Sequence, residues 1–263
     1  MVAVEKAPGA REGHRRAVSV DLSILIPLYN EEPNVAPLHA ELSVVLASMP
    51  VSCEILAVDD GSTDGTFEVL RRIQASDPAV RVIRFTRNFG QTAAMAAGFA
   101  HARGELIVTF DGDLQNDPRD VPRLLALARD YDVVCGWRKD RKDDFLTRYV
   151  PSVIANKLIG LVTGVRVHDA GCSLKIFRAA VVKPLKLEPG MHRYLPALAS
   201  QLGGRVTEMV VNHRPRRFGR SKYGLSRTFR VLADLFTLRR QMRRAVDPAT
   251  PQPRLYEIAE ILE

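Results

Sequence analysis

The chain has 263 residues, of which 46% are hydrophobic and 26% charged, with a formal net charge of +8 and a pI near 9.7. This composition excludes a disordered chain, and the three widely spaced cysteines exclude a disulfide scaffold and favour a reducing compartment. No stretch is apolar enough to span a membrane, and the first twenty residues lack the apolar core of a signal peptide. We therefore expect a soluble, cytoplasmic protein.

Strands and helices are predicted to alternate through residue 136, after a mobile arm at residues 1–19. The predicted strands are Leu22–Leu28, Cys53–Val58, Val80–Phe85, Glu105–Phe110 and Asp132–Gly136. The predicted helices begin near Pro33, capped by Asn30, and near Asp64, and cover Thr92–Ala102 and Pro118–Ala128, the last capped by Asp117. Such an alternation predicts an α/β fold, with a mostly parallel sheet covered by helices on both faces.

The pattern is less regular after Trp137. Helices are predicted at Phe145–Val162, Tyr194–Leu202 and Leu225–Arg243, and strands at Leu174–Phe177 and Arg205–Asn212. Three prolines between residues 248 and 253 predict a linker before a short final helix. We therefore predict four parts, namely the arm at 1–19, an α/β domain at 20–224, a basic amphipathic helix at 225–244 and an acidic tail at 245–263.

Most of the positive charge lies in one segment. Residues 203–244 contain twelve Lys and Arg residues against Glu208 and Asp234, so the rest of the chain is slightly acidic. In the predicted helix at 225–244, apolar and basic side chains alternate in a pattern that suits an anionic membrane surface. The same pattern fits a helix whose apolar side packs on the domain and whose charges face solvent.

Acidic residues follow two of the predicted strands. Asp59 and Asp60 follow the second strand, and Asp111, Asp113 and Gln115 follow the fourth. Ligands of open α/β sheets lie beyond the carboxyl ends of the strands. Neighbouring carboxylates repel one another, and oxygen ligands of this kind suit Mg²⁺ or Mn²⁺ that also binds substrate phosphates. Each motif alone also fits an ordinary turn.

Four motifs together carry a resemblance to a known family. They are Pro27-Leu28-Tyr29-Asn30-Glu31, the stretch from Val58 to Thr66 (VDDGSTDGT), Asp111-Gly112-Asp113-Leu114-Gln115, and the stretch from His213 to Tyr223 (HRPRRFGRSKY). On these motifs residues 20–243 resemble the inverting family 2 glycosyltransferases of the GT-A fold, which is Rossmann-like. More narrowly, they resemble the polyprenyl-phosphate glycosyltransferases, the group of dolichol-phosphate mannose synthase and bacterial undecaprenyl-phosphate sugar transferases.

The resemblance implies a role for each matching residue. Pro27, Tyr29, Glu31, Asp59 and Asp60 would bind the nucleoside of the sugar donor. Asp111, Asp113 and Gln115 would bind the metal and the donor diphosphate. Arg138 would contact the acceptor phosphate, Asp169 stands where relatives place a candidate base, and Arg216 and Lys222 would close over the phosphates.

The implied activity is metal-dependent transfer of a sugar from a nucleotide sugar to undecaprenyl or dolichyl phosphate. The stretch from Asp169 to Lys175 is more similar to relatives that use UDP-sugars than to those that use GDP-mannose. A phosphate monoester is largely dianionic at neutral pH and has little need of a base, so Asp169 is expected either to act as a weak base or to anchor its own loop. Arg138, Arg216 and Lys222 would offset the repulsion between two phosphate-bearing reactants.

The membrane association of the chain has two predicted forms. Many bacterial relatives continue into transmembrane helices where this chain has a proline-rich, acidic end. We expect a peripheral enzyme on the cytoplasmic face of the membrane, which binds the anionic surface directly or through a separate membrane protein partner.

Two other functions are compatible with parts of the sequence. A sugar-nucleotidyltransferase shares the α/β layout and the metal carboxylates, but residues 28–33 lack the glycine-rich basic loop usual after its first strand. A nucleic-acid-binding module would explain the high pI but not the acidic motifs, and the basic segment has few aromatic residues, so we expect no nucleic acid partner.

Overall fold

The computed structural model describes residues 20–139, 158–218 and 239–263 and places eight strands in one sheet. The strands are β1 (Leu22–Leu28), β2 (Cys53–Asp59), β3 (Val80–Phe85), β4 (Leu106–Thr109), β5 (Val133–Trp137), β6 (Lys175–Arg178), β7 (Val206–Val210) and β8 (Ile258–Leu262). Their order across the sheet is β7-β5-β6-β4-β1-β2-β3-β8.

Helices follow most of the strands. They are α1 (Glu32–Ala47), α2 (Thr66–Ser76), α3 (Gln91–His101), α4 (Val121–Leu127), α5 (Ala179–Val182) and α6 (Leu195–Gln201). Short 3₁₀ helices cover Pro118–Asp120 and Met191–Tyr194, and residues 158–163 and 239–246 are also helical. Within the described residues, no helix is both long and apolar enough to cross a bilayer.

The sheet is mixed, with one prevailing direction. β1 pairs in parallel with β2 and β4, β2 with β3, and β5 with β7. β6 is antiparallel to β4 and β5, and β8 is antiparallel to β3. Six strands therefore point the same way, which confirms the predicted mostly parallel sheet. Their carboxyl ends meet at one edge, where a ligand site is expected.

Hydrophobic cores lie on both faces of the sheet, as predicted. Along β1, Leu22 and Ile24 belong to the cluster that includes α1, α2 and α4, whereas Leu25 belongs to the cluster that includes α3 and α6. Successive strand residues point to opposite faces, so both faces of β1 are covered by apolar side chains. This double burial explains why the strand is a nearly continuous apolar run.

The caps predicted for two helices differ in outcome. Asp117 accepts a hydrogen bond from Arg119 N, which confirms it as the cap of the Pro118 helix. The cap predicted at Asn30 is wrong, because α1 begins at Glu32 without a side-chain cap. Asn30 instead adopts a φ of 51°, and its side-chain oxygen accepts a hydrogen bond from Thr63 N at 2.9 Å. A short amide side chain tolerates this left-handed conformation and ties the first strand end to the second.

The short helix predicted in the acidic tail is wrong. Residues 258–262 form β8, which pairs with β3 so that Leu262 lies opposite Val82 and Ile258 opposite Phe85. Ile258 and Leu262 are four residues apart, a spacing that puts them on one face of a helix and equally on one face of a strand. The unpaired backbone groups along the edge of β3 decide in favour of the strand, because β8 satisfies them.

Three predicted segments lie wholly or largely outside the described residues. They are the arm at 1–19, most of the helix predicted at Phe145–Val162 and much of the basic helix. In the helical residues 239–246, the side chains of Met242 and Ala245 are buried. Arg239, Arg240, Arg243 and Arg244 on the same segment are exposed. Its apolar side therefore packs on the domain and its cations face solvent.

Candidate functional site

A pocket of about 180 Å³ lies at the edge where the parallel strands end. Seven residues singled out in the sequence line it, namely Pro27, Tyr29, Glu31, Asp60, Asp111, Asp113 and Arg216. They come from the ends of β1, β2 and β4 and from the segment after β7. The sheet thus brings together side chains that are distant in sequence, in one acidic pocket with an arginine at its side.

Arg216 is paired with the carboxylate of Asp113. One guanidinium nitrogen of Arg216 lies 2.6 Å from Asp113 Oδ2 and 3.2 Å from Gln115 Oε1. Burial, and then repulsion by Asp111, raise the pKa of Asp113 to about 6, although the Arg216 charge opposes the rise. Asp113 thus lies in a sheltered pocket close to a second carboxylate, and the Arg216 charge does not fully offset the combined effect of burial and repulsion.

The segment that carries Arg216 is bound to the fourth strand end. Residues Asn116 and His213 form a β-bridge, and Arg214 N donates to Gln115 O at 2.8 Å. The Arg214 side chain contacts Asp117 at 2.7 Å and Glu41 at 2.5 Å. This backbone and side-chain pairing sets where Arg216 enters the pocket.

The acidic residues fit a divalent cation that also binds phosphate. In the described part of the chain, no group of three or more His, Cys, Asp or Glu side chains could enclose a metal ion. Asp111, Asp113 and Gln115 offer two carboxylates and an amide oxygen, and repulsion by Asp111 adds to burial in raising the pKa of Asp113. Mg²⁺ is commonly bound by one or two carboxylates together with substrate phosphates, so this set suits it.

Asp60 organises the turn before α3. Its carboxylate accepts hydrogen bonds from Phe89 N at 2.7 Å, Gly90 N at 2.9 Å and Asn88 Nδ2 at 3.0 Å. Burial raises the pKa of Asp60 to about 6, and these bonds oppose the rise. Gly90 has a φ of 93°, which a residue with a side chain rarely adopts. Asp60 therefore shapes one wall of the pocket as well as lining it.

Asp59 does not line the pocket. Its side chain is fully buried, and Asp59 Oδ1 accepts a hydrogen bond from Ser62 N at 3.0 Å. Burial raises the pKa of Asp59, and Arg84 Nε lies 3.9 Å from Asp59 Oδ2. In this structure Asp59 holds the turn between β2 and α2.

Arg138, directly after β5, forms a buried ion pair with Asp169. Arg138 Nε lies 2.7 Å from Asp169 Oδ2, and Arg138 Nη2 lies 3.0 Å from Asp169 Oδ1, so both carboxylate oxygens are bound. The Asp169 side chain is 3% exposed and that of Arg138 14%. Although burial disfavours the charge, Asp169 raises the pKa of the Arg138 guanidinium. Arg138 is thus fixed in place and charged.

Four pocket residues were not singled out from the sequence. They are Asn88, Gly90, Gln91 and Ala94, and Gln91 Nε2 lies 3.3 Å from Asp111 Oδ1. They follow β3, the third parallel strand, so their position at a carboxyl end was a usable signal. Of the other predicted residues, Gln115 contacts Arg216. Arg138 and Asp169 bind each other and do not line the pocket, and Lys222 is outside the described residues.

The sheet, its helices and the acidic carboxyl edge define a GT-A-type α/β domain. Residues 23–185 match the family model described as Glycosyl transferase family 2, and the chain belongs to this family of glycosyltransferases.

Two curated relatives are similar over most of the chain. The chain is 47% identical over 235 residues to dodecaprenyl-phosphate galacturonate synthase of Rhizobium johnstonii, covering 88% of this chain and 70% of that protein. It is 39% identical over 219 residues to undecaprenyl-phosphate 4-deoxy-4-formamido-L-arabinose transferase of Edwardsiella ictaluri, covering 82% of this chain and 67% of that protein. Both relatives are family members named for a polyprenyl-phosphate sugar reaction.

A solved structure supports the fold. Glucosyl-3-phosphoglycerate synthase from Mycobacterium tuberculosis, in complex with Mn²⁺, UDP and phosphoglyceric acid, superimposes with a TM-score of 0.60 at 18% identity. The superposition covers 86% of this chain and 77% of that chain. At this identity the likeness shows the GT-A fold, and the metal and nucleotide are properties of the neighbour.

Proposed function

We propose that this glycosyltransferase transfers a sugar, with inversion, from a nucleotide sugar to a polyprenyl phosphate, with the help of a divalent metal ion. The observation that carries the proposal is the pocket in which Asp111, Asp113 and Arg216 meet at the carboxyl edge of the sheet. The two curated relatives named above support the acceptor, since both are named for polyprenyl-phosphate sugars.

The sugar donor would lie in the pocket. Pro27, Tyr29 and Glu31 line the part that follows β1 and would contact the nucleoside, with Asp60 shaping the opposite wall. Asp111, Asp113 and Gln115 would hold Mg²⁺ or Mn²⁺, which supplies charge for the departing nucleoside diphosphate. Arg216 lies against the same carboxylate and would bind the diphosphate, together with Lys222. Asp59 would act indirectly, through the turn it holds.

The acceptor phosphate would meet Arg138. A phosphate monoester carries close to two negative charges at neutral pH and attacks without losing a proton to the protein. The requirement is therefore a fixed cation that holds the nucleophile near the sugar. Asp169, whose two carboxylate oxygens are both bound to Arg138, would serve mainly to orient that guanidinium.

The sugar donor is proposed to be a UDP-sugar. The galacturonate and formamido-arabinose names of the two relatives make those sugars the first to test. We further propose that the enzyme works at the cytoplasmic face of a membrane, since its acceptor is a lipid and exposed arginines cluster at 239–244. A separate membrane protein is a second route to the same place.

The test is a panel of labelled nucleotide sugars, namely UDP-galacturonate, UDP-4-deoxy-4-formamido-arabinose, UDP-glucose and GDP-mannose. Each is incubated with polyprenyl phosphate and Mg²⁺ or Mn²⁺, and lipid-extractable label is counted. Transfer of one sugar, lost on chelation with EDTA, supports the proposal. No label in the lipid with any donor, together with pyrophosphate release from a nucleoside triphosphate and a sugar phosphate, would identify a nucleotidyltransferase instead.

A further inference from the structure

The loop that carries Asp169 is fixed by side chains from four neighbouring strand regions. We call residues 168–173 the acceptor loop. Glu208 on β7 binds His168, Arg138 after β5 binds Asp169, Lys175 on β6 donates to the carbonyls of Ala170 and Cys172, and Thr109 on β4 donates to Ser173 O. A loop held at almost every residue is preorganised, so its position is set before any substrate binds.

Glu208 holds the first residue of this loop in two ways. Its carboxylate accepts a hydrogen bond from His168 N at 2.8 Å and also binds His168 Nδ1. The His168 ring stacks on Trp137, with centroids 4.2 Å apart and planes inclined by 15°. Cys135 on β5 pairs with Glu208 on β7, so their side chains lie on the same face of the sheet. Trp137 is two residues after Cys135 on β5 and therefore lies on that face too. Glu208 and Trp137 together fix both the backbone and the ring of His168.

The Arg138–Asp169 ion pair directly follows the Trp137–His168 contact along both segments of the chain. Trp137 contacts His168, and the residues that follow them, Arg138 and Asp169, bind each other through two hydrogen bonds. The two contacts are consecutive on both segments, so a shift of His168 displaces Asp169 and, with it, the guanidinium of Arg138. Arg138 N also donates to Asp169 Oδ2 at 3.4 Å, which ties the backbone to the same carboxylate.

We propose that Glu208 is a positioning residue for acceptor binding, acting through His168 and Asp169 on Arg138. This inference rests on the proposed function, in which Arg138 binds the acceptor phosphate. Glu208 does not line the donor pocket, whose lining residues come from the ends of β1, β2 and β4, from the segment between β3 and α3 with the start of α3, and from the segment after β7. Loss of Glu208 is therefore expected to weaken acceptor binding and to spare binding of the nucleotide.

The experiment measures the two affinities separately. Wild-type protein and the Glu208→Gln variant are titrated by calorimetry with a short-chain prenyl phosphate, and in parallel with UDP and Mn²⁺. We expect Glu208→Gln to lower the affinity for prenyl phosphate about tenfold, because the guanidinium of Arg138 would be displaced by a fraction of an ångström. The affinity for UDP should change by less than about twofold. In the transfer assay the KM for the prenyl phosphate rises by the same factor.

Two further variants separate positioning from general damage. His168→Phe keeps an aromatic ring for the Trp137 stack and loses the ring contact with Glu208, so an intermediate loss is expected. Glu68→Gln is the matched control, because it removes an exposed carboxylate that pairs with Arg71 far from the acceptor loop. Trp137 is the single tryptophan of the chain, so its emission spectrum reports the stack directly and should shift in Glu208→Gln but not in Glu68→Gln.

The outcomes are distinct. Prenyl phosphate affinity in Glu208→Gln equal to that of Glu68→Gln would overturn the positioning role, as would an equal loss of UDP affinity. Failure of the wild-type protein to bind or glycosylate any prenyl phosphate would refute the proposed function itself, and the inference with it.

Discussion

The guanidinium of Arg216 lies 2.6 Å from Asp113 Oδ2, although the two residues are 103 positions apart in the chain. The contact joins the acidic end of β4 to the basic segment after β7 and places a cation against a carboxylate whose pKa is raised to about 6. In the proposed function, a sugar nucleotide would bring its diphosphate to this position. Arg216 is therefore suited to exchange part of its contact with Asp113 for the incoming phosphates.

Removal of either residue of this pair should nearly abolish turnover. We expect Asp113→Ala and Arg216→Ala each to lower kcat/KM by at least about 100-fold, because Asp113 is proposed to hold the metal ion and Arg216 to bind the departing diphosphate. The measurement is the lipid-transfer assay with saturating metal. Arg217→Ala is the control, since Arg217 is exposed and lies over the Phe218 ring, and near wild-type activity is expected. Full activity of Arg216→Ala would contradict its proposed role.

Asp169→Asn should retain measurable activity. An asparagine keeps one oxygen for Arg138, and a dianionic phosphate needs no proton acceptor, so we expect a loss of about tenfold. Arg138→Ala should cost more, since it removes the cation itself. Steady-state kinetics of both variants, with Asp113→Ala as the reference for an inactive enzyme, provide the test. An Asp169→Asn enzyme as inactive as Asp113→Ala would make Asp169 an essential base.

Asp117 should stabilise the fold above pH 4 and lose this effect in acid. Burial would raise its pKa, but hydrogen bonds from Arg119 and Arg214 outweigh it and lower the pKa from 3.8 to about 2. The unfolded chain binds the proton first as pH falls, so the contribution is complete above the unfolded pKa and disappears between pH 4 and 2. Urea unfolding of wild type and Asp117→Asn should show a stability difference at pH 5 that shrinks towards pH 2. A difference independent of pH would contradict the assignment.

Truncation after Glu257 should destabilise the domain. It removes β8, exposes the edge of β3 and takes Glu263 Oε1 from the buried Arg81, which it contacts at 2.8 Å. We expect a loss of about 2 to 4 kcal/mol in the free energy of unfolding, measured in urea. Glu263→Gln is the control, with a loss below about 1 kcal/mol, because the Glu263 side chain is more than half exposed. An unchanged midpoint for the truncated chain would show that β8 is dispensable.

The arginines at 239–244 should support binding to anionic vesicles. Replacement of Arg239, Arg240, Arg243 and Arg244 by Ser is expected to abolish flotation with phosphatidylglycerol vesicles at low salt, as each surface cation contributes about 1 kcal/mol. The four arginines are exposed, while Met242 and Ala245 on the same helical segment are buried, so folding should be preserved. Replacement of the exposed Arg71 and Arg72 on α2 serves as the control. Flotation that persists in the fourfold variant would rule out this surface.

Local pattern was enough to predict the strands that are buried on both faces. The run Leu22–Leu28 is apolar because residues such as Leu25 and Ile24 meet different cores, and such a run predicts a strand whatever surrounds it. The acidic residues Asp111 and Asp113 were predictable for a related reason, since carboxylates directly after a buried strand stand at the carboxyl edge. The family was recognisable from the same motifs, and the match over residues 23–185 confirms it.

The sequence by itself therefore determined the alternation of elements, the acidic edge and the family. Only the tertiary structure decided that residues 258–262 form a strand, that Arg216 pairs with Asp113, and that Arg138 is held by Asp169. Periodicity and spacing report on neighbours within a few residues of one another, whereas these contacts join segments that lie far apart in the chain. Their partners are chosen by strand order and by the burial of charge, which exist only after the sheet has formed.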